Sequence, residues 1–195
     1  MNMEMIRRDL RNLLKASRFR HSEGVANVTY DLALIHGYDT QKAELTGILH
    51  DCAKYLSDQE LMEACQEYNL PVTEVESRCP FLLHAKVGAY FARTRYDITD
   101  EEILSAITYH TTGRPDMTLL EKIIYTADYI EPYRKPLPRI MEIREAAYLN
   151  LDQAVYMIAE NILNYLRSTG KEFDHLTVET YNYYKAILKT NFFNE

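Results

Sequence analysis

Residues 119–132 read LLEKIIYTADYIEP, and the order of apolar residues in this stretch decides the fold class. Leu120, Ile123, Ile124 and Ala127 follow one another at steps of three, one and three, which places their side chains on one face of an α-helix. Similar steps recur along the rest of the chain. The longest series of this kind contains Leu151, Val155, Ile158, Ile162 and Leu166. The pattern therefore predicts an all-α protein.

Helix ends are also marked in the sequence. In a capping box, a Ser or Thr side chain and a Glu three positions later bind each other's backbone N–H groups. This spacing occurs at Ser57–Glu60, Thr73–Glu76, Thr99–Glu102 and Thr118–Glu121, with a variant at Asn150–Gln153. Glycines that suit helix C-termini are Gly37, Gly113 and Gly170. Only LTVETY, residues 176–181, alternates like a strand. We therefore expect one domain over residues 1–195, with about eight to ten helices.

Composition and charge exclude several classes of protein. The 195 residues are 47% hydrophobic and 26% charged, which is typical of globular domains and unlike disordered or collagen-like chains. The net charge of −7 argues against general binding to nucleic acid or membrane surfaces. Three cysteines without a CxxC pair suggest reduced thiols rather than a disulfide framework. With no signal peptide and no apolar run of ~18 residues, we expect a cytoplasmic protein.

A few polar residues interrupt the apolar helix faces, and these are the candidates for chemistry. Asp128 shares a face with Leu120 and Ile124, where a carboxylate loses its water and needs a cation or strong hydrogen-bond donors. His50 and Asp51 end the helix expected in LTGILHDCAK. Three more histidines lie near expected helix ends: His21, His84 and His110. Imidazole and carboxylate together suit iron, manganese or zinc.

Each candidate also has a structural explanation. A single histidine on an apolar helix face is more often a hydrogen-bonded core residue than a metal ligand. Asp128 could instead pair with Arg134 or Arg144. The set as a whole is more informative than any one member, because four histidines and two aspartates all lie at or near expected helix ends.

The order of these residues resembles the H…HD…D signature of the HD-domain metal phosphohydrolases, at His21, His50–Asp51 and Asp128. His84 and His110 match the branch of that family that holds two metal ions. The phrases RFRHSEGV, GILHDCAK, HAKVGA and TADYIEP resemble the YqeK family of symmetrical bis(5′-nucleosyl)-tetraphosphatases. The resemblance extends over residues 18–182, with the core motifs in residues 18–130, and implies a single HD-domain helical bundle. Two loop positions depart from the family pattern, Tyr133 for a glycine and Leu176 for a proline.

The resemblance also implies the reaction and its residues. The first metal, expected to be iron with manganese or another divalent ion as alternatives, would be held by His21, His50, Asp51 and Asp128. Asp51 would bridge to a second ion near His84 and His110, which either ligate that ion or contact the phosphates. The implied reaction hydrolyses diadenosine tetraphosphate to two ADP with metal-activated water, and the implied catalytic residues are Asp51, His84 and His110.

The implied substrate-binding residues are Lys54, His84, His110, Arg134, Gly170, Lys171 and His175. Arg134 lies in a proline-rich loop, and its guanidinium can bind phosphate oxygens in pairs. Lys54 is equally well explained as a solvated lysine at a helix end. The loop that contains Gly170, Lys171 and His175 would close over the nucleotide, although His175 could instead cap a helix.

Three other functions compete with this interpretation. A different HD phosphohydrolase, such as a nucleotidase or a pyrophosphohydrolase, would use the same ligands with another pocket. A protein that binds RNA or an alarmone nucleotide would use Arg7, Arg11, Lys15 and Arg18, which fall on one face of an N-terminal helix, although such a face is more often only solvated. The sixteen tyrosines, including the YNYY run, could form an interaction surface. The sequence allows a homodimer without identifying its interface.

Overall fold

The computed structural model describes residues 2–191. Over these residues the chain forms eleven α-helices and one 3₁₀ helix, Pro80–Leu82, without a β-strand. The α-helices are α1 (Met3–Leu13), α2 (Ala16–Ile35), α3 (Thr40–Leu49), α4 (Asp58–Glu67), α5 (Glu74–Arg78), α6 (Leu83–Arg95), α7 (Glu101–Tyr109), α8 (Leu119–Ile130), α9 (Ile140–Leu149), α10 (Leu151–Ser168) and α11 (His175–Asn191). The all-α prediction is confirmed. The helix count exceeds the expected range through α5, which has only five residues.

The strand-like segment 176–181 is helical and lies within α11, so that prediction is wrong. The buried residues in this part of α11 are Thr177 and Thr180 within the segment and Tyr184 just after it, at steps of three and four, which is helical spacing. Six residues are too few to separate a period of two from a period of 3.6. Packing of α11 against α10 decides the conformation of this segment.

Three of the predicted capping boxes are present in full, at the starts of α4, α5 and α8. The box predicted at Thr99 is wrong, because the side chain of Asp100 caps α7 and accepts from the backbone N–H of Glu102. The Glu102 carboxylate is already bound by Tyr38 and Lys42, so it does not complete a box. Asn150 caps α10 by accepting from two backbone N–H groups.

The single basic face expected near the N-terminus is also absent from the described structure. Helix α1 ends at Leu13, and Leu14 is extended with its side chain buried. Because the chain changes direction there, Lys15 and Arg18 belong to the start of α2 rather than to α1. Burial of the Leu14 side chain stabilises the break between α1 and α2 more than one continuous helix would stabilise this segment.

Close packing of α2 against α3 brings the first part of the candidate site together. A Cβ atom at Gly47 would lie 2.5 Å from Thr29 Oγ1 and 2.9 Å from Ala26 Cα, so only glycine permits this approach. His50 follows Gly47 by one helical turn, and it faces the α2 residue His21. Helix α8 packs against α2, α3 and α7, which adds Asp128 to the same region.

Within residues 2–191, none of the helices combines the length and the apolar composition that crossing a bilayer requires.

Candidate metal centre

Five helices bring their polar residues to one point of the bundle. His50 and His110 are the C-terminal caps of α3 and α7, and His84 is the second residue of α6. Asp128 lies in the last turn of α8. His21, which the sequence places near a helix end, lies in the second turn of α2. All four histidines of this group are buried, as is Asp51.

Asp51 lies between two groups of histidines, with one carboxylate oxygen directed at each group. Its Oδ2 atom is 3.4 Å from His50 Nε2 and 3.7 Å from His21 Nε2. Its Oδ1 atom is 3.2 Å from His84 Nε2 and 3.6 Å from His110 Nε2. A carboxylate in this position can bind two cations at once, one through each oxygen.

Asp128 joins only the first of these groups. Its Oδ1 atom is 3.0 Å from His21 Nε2 and 3.8 Å from His50 Nε2. The ligand atoms of His21, His50 and Asp51, and those of Asp51, His84 and His110, form two sets that are each compact enough to surround one ion, with Asp51 in both. Asp128 adds a further carboxylate oxygen beside the histidines of the first set. We call the set of His21, His50, Asp51 and Asp128 position 1, and the set of Asp51, His84 and His110 position 2. The mixture of imidazole and carboxylate donors fits divalent iron, manganese or zinc.

Three of the histidines are oriented by the backbone. Their Nδ1 atoms lie within hydrogen-bond distance of the carbonyl oxygen three residues earlier, at 2.6 Å for His50, 2.5 Å for His84 and 2.7 Å for His110. A ring nitrogen that donates to a carbonyl carries the proton, which leaves Nε2 as a lone pair directed at Asp51. This orientation of ligand imidazoles by a second hydrogen bond is typical of metal sites.

His21 is oriented by a carboxylate instead. Its Nδ1 atom is 3.0 Å from Oε1 of Glu131, a side chain that is 1% exposed. The sequence interpretation did not include Glu131 among the site residues. Its one signal was its place at the end of the apolar helix in TADYIEP, directly after the turn that holds Asp128.

The charges in the centre favour the metal-binding protonation states of Asp51 and His84, but they favour the protonated form of His50. Burial alone would raise the pKa of Asp51, but the neighbouring imidazoles of His50, His110 and His84 hold it well below its usual range. Burial lowers the pKa of His84 to about 4, so this imidazole is neutral near pH 7. The pKa of His50 is raised because Asp51 and Asp128 outweigh the effect of burial. Ionised carboxylates and neutral imidazoles are the forms that bind metal.

Three cationic side chains contact the ligand sets. Arg18 Nη1 is 2.7 Å from Asp51 Oδ2, and Arg134 Nη2 is 2.5 Å from Asp128 Oδ1. Both guanidinium side chains are about one-third exposed, at 37% and 33%, so they reach the ligands from the solvent side. Lys54 Nζ lies 3.0 Å from His84 Nδ1, and burial lowers the pKa of this lysine.

Arg18 is a second site residue that sequence reasoning missed. The sequence analysis considered Arg18 only as part of a basic helix face. Because it lies three residues before His21, its side chain lies next to that of His21 on the same face of the helix. Arg134, in contrast, was expected beside Asp128 as an alternative to metal binding, and the two side chains do pair. Arg144 binds the backbone carbonyls of Ile130 and Glu131 instead.

The structure does not bring the predicted closing loop to the ligands. Among the described contacts, Lys171 Nζ approaches the hydroxyl of Tyr165, and the exposed His175 pairs with Glu179. Gly170 has a φ of +65°, as a helix C-terminal glycine should, and a Cβ atom there would have no other atom within 4 Å. Arg78 and Glu172 form an ion pair that ties this loop to α5. Binding of nucleotide by this loop therefore stays a prediction.

Comparisons with known proteins agree with the residue pattern. The HD domain family matches residues 18–133. The chain is 39% identical over 183 residues to the symmetrical bis(5′-nucleosyl)-tetraphosphatase of Bacillus subtilis. That alignment covers 94% of this chain and 97% of the relative. It is also 40% identical over 169 residues to the protein of the same name from Halalkalibacterium halodurans. That alignment covers 87% of this chain and 89% of the relative.

The fold has a counterpart among solved structures. A crystal structure from Clostridium acetobutylicum, described as a predicted HD superfamily hydrolase involved in NAD metabolism, superimposes with a TM-score of 0.92 at 39% identity. The superposition covers 95% of this chain and 98% of the other. Taken with the shared-carboxylate geometry, these similarities show that the chain belongs to the HD-domain family, among the symmetrical bis(5′-nucleosyl)-tetraphosphatases.

Proposed function

We propose that this protein is a metal-dependent hydrolase that cleaves diadenosine tetraphosphate symmetrically into two ADP. The observation that carries the proposal is the position of Asp51, whose two carboxylate oxygens face two separate groups of histidines. The names of the similar proteins support the substrate class. No nucleophilic serine or cysteine is needed, because phosphoryl transfer depends mainly on positioning and on neutralising charge.

Position 1 would hold one divalent ion and position 2 another, with iron as the expected metal and manganese as the alternative. Such ions, when bound, lower the pKa of water and neutralise charge on the phosphoryl oxygens. The chain contributes the orientation of the donors: backbone carbonyls fix three imidazole rings, and Asp51 is buried between them. These residues therefore need little rearrangement to act as ligands.

Arg18 and Arg134 would bind phosphate groups of the substrate beside position 1. Each guanidinium now contacts a carboxylate of position 1, and each is partly exposed. A guanidinium keeps its charge at any working pH and can bind two phosphate oxygens in one plane. Two such groups suit a substrate that carries phosphates on both sides of the bond to be cleaved. Lys54, beside His84, would add a third cation on the side of position 2.

The test compares the wild type with Asp51→Asn, purified in parallel and assayed for metal content and for the products of diadenosine tetraphosphate. We expect about two ions per chain and ADP as the sole product for the wild type. The variant should lose both, since an amide cannot act as an anionic ligand for two cations. Asp152→Asn is the matched control, because Asp152 pairs with Lys122 at the surface. A metal-free wild type that stays inactive after addition of iron or manganese would overturn the proposal.

The same experiment separates the remaining alternatives. Bound metal without cleavage of the tetraphosphate would assign the centre to another HD nucleotide phosphohydrolase. A role in RNA binding is less well supported, because Arg7 is already bound by Glu23 and Glu44 and Arg18 is bound by Asp51. The homodimer and the cytoplasmic location remain predictions.

A further inference from the structure

One of the four candidate histidine ligands differs from the others in what its outer nitrogen binds. His50, His84 and His110 each use a neutral backbone carbonyl. His21 uses the carboxylate of Glu131. A carboxylate that is 1% exposed is costly unless its environment compensates for the lost water. The position of Glu131 therefore calls for a reason beyond packing.

The Glu131 carboxylate is held in place from both sides. Its Oε1 atom accepts from Nδ1 of His21 at 3.0 Å, and its Oε2 atom accepts from the backbone N–H of Tyr133 at 2.6 Å. A Cβ atom at residue 24 would lie 2.6 Å from Oε2, so Gly24 leaves the space that the carboxylate occupies. Arg144 binds the backbone carbonyl of Glu131 and fixes the chain at the end of α8.

Acceptors of different charge have different effects on an imidazole ligand. A hydrogen bond from an N–H group to a carboxylate is stronger than one to a neutral carbonyl. By stabilising positive charge on the ring, such a carboxylate makes the opposite nitrogen more basic and a better metal ligand. Here the opposite nitrogen is Nε2 of His21, which faces Asp128 and Asp51.

The two metal positions also differ in total charge. Position 1 combines three carboxylates, those of Asp51, Asp128 and the nearby Glu131, with the two guanidinium groups of Arg18 and Arg134, so one negative charge remains in excess. Position 2 has only the shared carboxylate of Asp51. Lys54 Nζ is 3.0 Å from His84 Nδ1, so a lysine side chain already lies against position 2. Coulombic attraction to a divalent cation is therefore greater at position 1.

We propose that Glu131 is a positioning residue for the metal centre, which fixes the ring of His21 and makes position 1 the tighter of the two metal positions. This inference rests on the proposed function, because it requires that the two ligand sets bind metal. Glu131 contacts no substrate in this scheme and acts only through His21.

The test is a titration of metal-stripped protein with Mn²⁺, in which electron paramagnetic resonance measures the free ion. We expect two binding steps for the wild type. In Glu131→Gln the tighter step should weaken by about 10–100-fold while the weaker step keeps its affinity. Glutamine has the same shape, but its NH₂ group must face either His21 Nδ1–H or the N–H of Tyr133, and neither can accept. Excess Mn²⁺ should restore kcat, with KM for the substrate unchanged.

Two further variants distinguish positioning from a general loss of stability. Gly24→Ala displaces the Glu131 carboxylate without removing a charge, so it should weaken the same step. Glu121→Gln is the matched control, since Glu121 is also 1% exposed on α8 but binds Ser105 and Arg114. It should lower the melting temperature and leave both Mn²⁺ affinities of the folded protein unchanged.

Three results would contradict these expectations in different ways. Wild-type affinity at both steps in Glu131→Gln would overturn the positioning role, and so would equal weakening in Glu131→Gln and Glu121→Gln. Failure of the wild type itself to bind Mn²⁺ would overturn the metal centre on which the inference depends. The wild-type titration thus separates failure of the proposed function from failure of the inference.

Discussion

Arg18 is a partly exposed cationic residue in direct contact with a candidate metal ligand. Its guanidinium contacts Oδ2 of Asp51, the oxygen that belongs to position 1, and its side chain is 37% exposed. An ion at position 1 would compete with this guanidinium for the same carboxylate oxygen and would repel its charge. The polyphosphate chain of the proposed substrate would offer the guanidinium another anionic partner. Arg18 is therefore expected to turn from Asp51 to a phosphate when metal and substrate bind.

Replacing Arg18 with alanine should lower kcat/KM for diadenosine tetraphosphate by about 10–100-fold, the cost of one charge-assisted hydrogen bond. Arg18→Lys should recover part of the loss, since it keeps the charge without the paired donors. Metal content should not fall in either variant. Steady-state kinetics and metal analysis measure both effects, with the exposed Arg8→Ala on α1 as the control. An unchanged kcat/KM in Arg18→Ala would remove Arg18 from the substrate-binding residues.

Sequence reasoning singled out the candidate ligands but did not single out Glu131 and Arg18, which contact them. The ordered histidines and aspartates stand out because polar groups on apolar helix faces need an explanation. Glu131 and Arg18 do not stand out, since an acid after a helix and a base in a charged segment are common on any surface. Only the fold shows that one is buried against His21 and that the other reaches Asp51.

At the scale of elements, the loop after His110 is supported by α11. The hydroxyl of Thr180 donates to the carbonyl of Thr112, and the hydroxyl of Tyr184 accepts from the backbone N–H of Met117. Gly113 lies against the same helix with a φ of +65°, and a Cβ atom there would be 2.8 Å from Thr180 Cγ2. The loop after His110 is therefore held against α11 by two hydrogen bonds and by close packing at Gly113.

Gly113→Ala should destabilise the protein more than Gly170→Ala. Both glycines have a φ of +65°, so both variants carry the backbone cost of about 1 kcal/mol for a left-handed residue. Only Gly113 adds a steric clash with α11, for which overpacking costs about 1–3 kcal/mol more. Urea unfolding measures the difference, and Gly170 serves as the matched control because its Cβ would meet no atom. Equal destabilisation would mean that α11 does not constrain this loop.

Helical periodicity predicted that these segments are helices. Where the helices begin and end depends on which side chains bind the backbone at the helix ends and which are buried. Asp100 rather than Thr99 caps α7, because Glu102 is bound elsewhere. Leu14 turns inward and separates α1 from α2. The segment 176–181 is helical because α11 packs against α10, and six residues of sequence do not predict that contact. These outcomes depend on partners far away in the chain, which local patterns do not contain.

At the scale of the whole molecule, the acidic chain places three cationic side chains at one site. The net charge is −7, yet Arg18, Lys54 and Arg134 all approach the candidate ligands. Local groups of cations of this kind would allow an acidic protein to bind phosphate in spite of its net charge. The single domain over residues 1–195 stays a prediction.

Removing the metal should lower the melting temperature of the whole protein. A ligand present at 100 times its Kd stabilises the folded state by about 2.7 kcal/mol. For a chain of this length that corresponds to about 5–11 °C. Calorimetry with and without a chelator measures the shift, and Asp51→Asn should show none, because it lacks the shared ligand. Equal melting temperatures for the treated and untreated wild type would contradict metal binding at this centre.

The spread of the ligands along the chain has a consequence for folding. His21 and its partner Glu131 are 110 positions apart, and the other candidate ligands come from the helices between them. Closing contacts over such separations slows folding, because the entropy of long loops must be overcome first. No single helix hairpin contains a complete ligand set, so a nascent or partly folded chain has little means of retaining the ion. Catalytic competence should therefore appear only late in folding, after helices from α2 to α8 have docked.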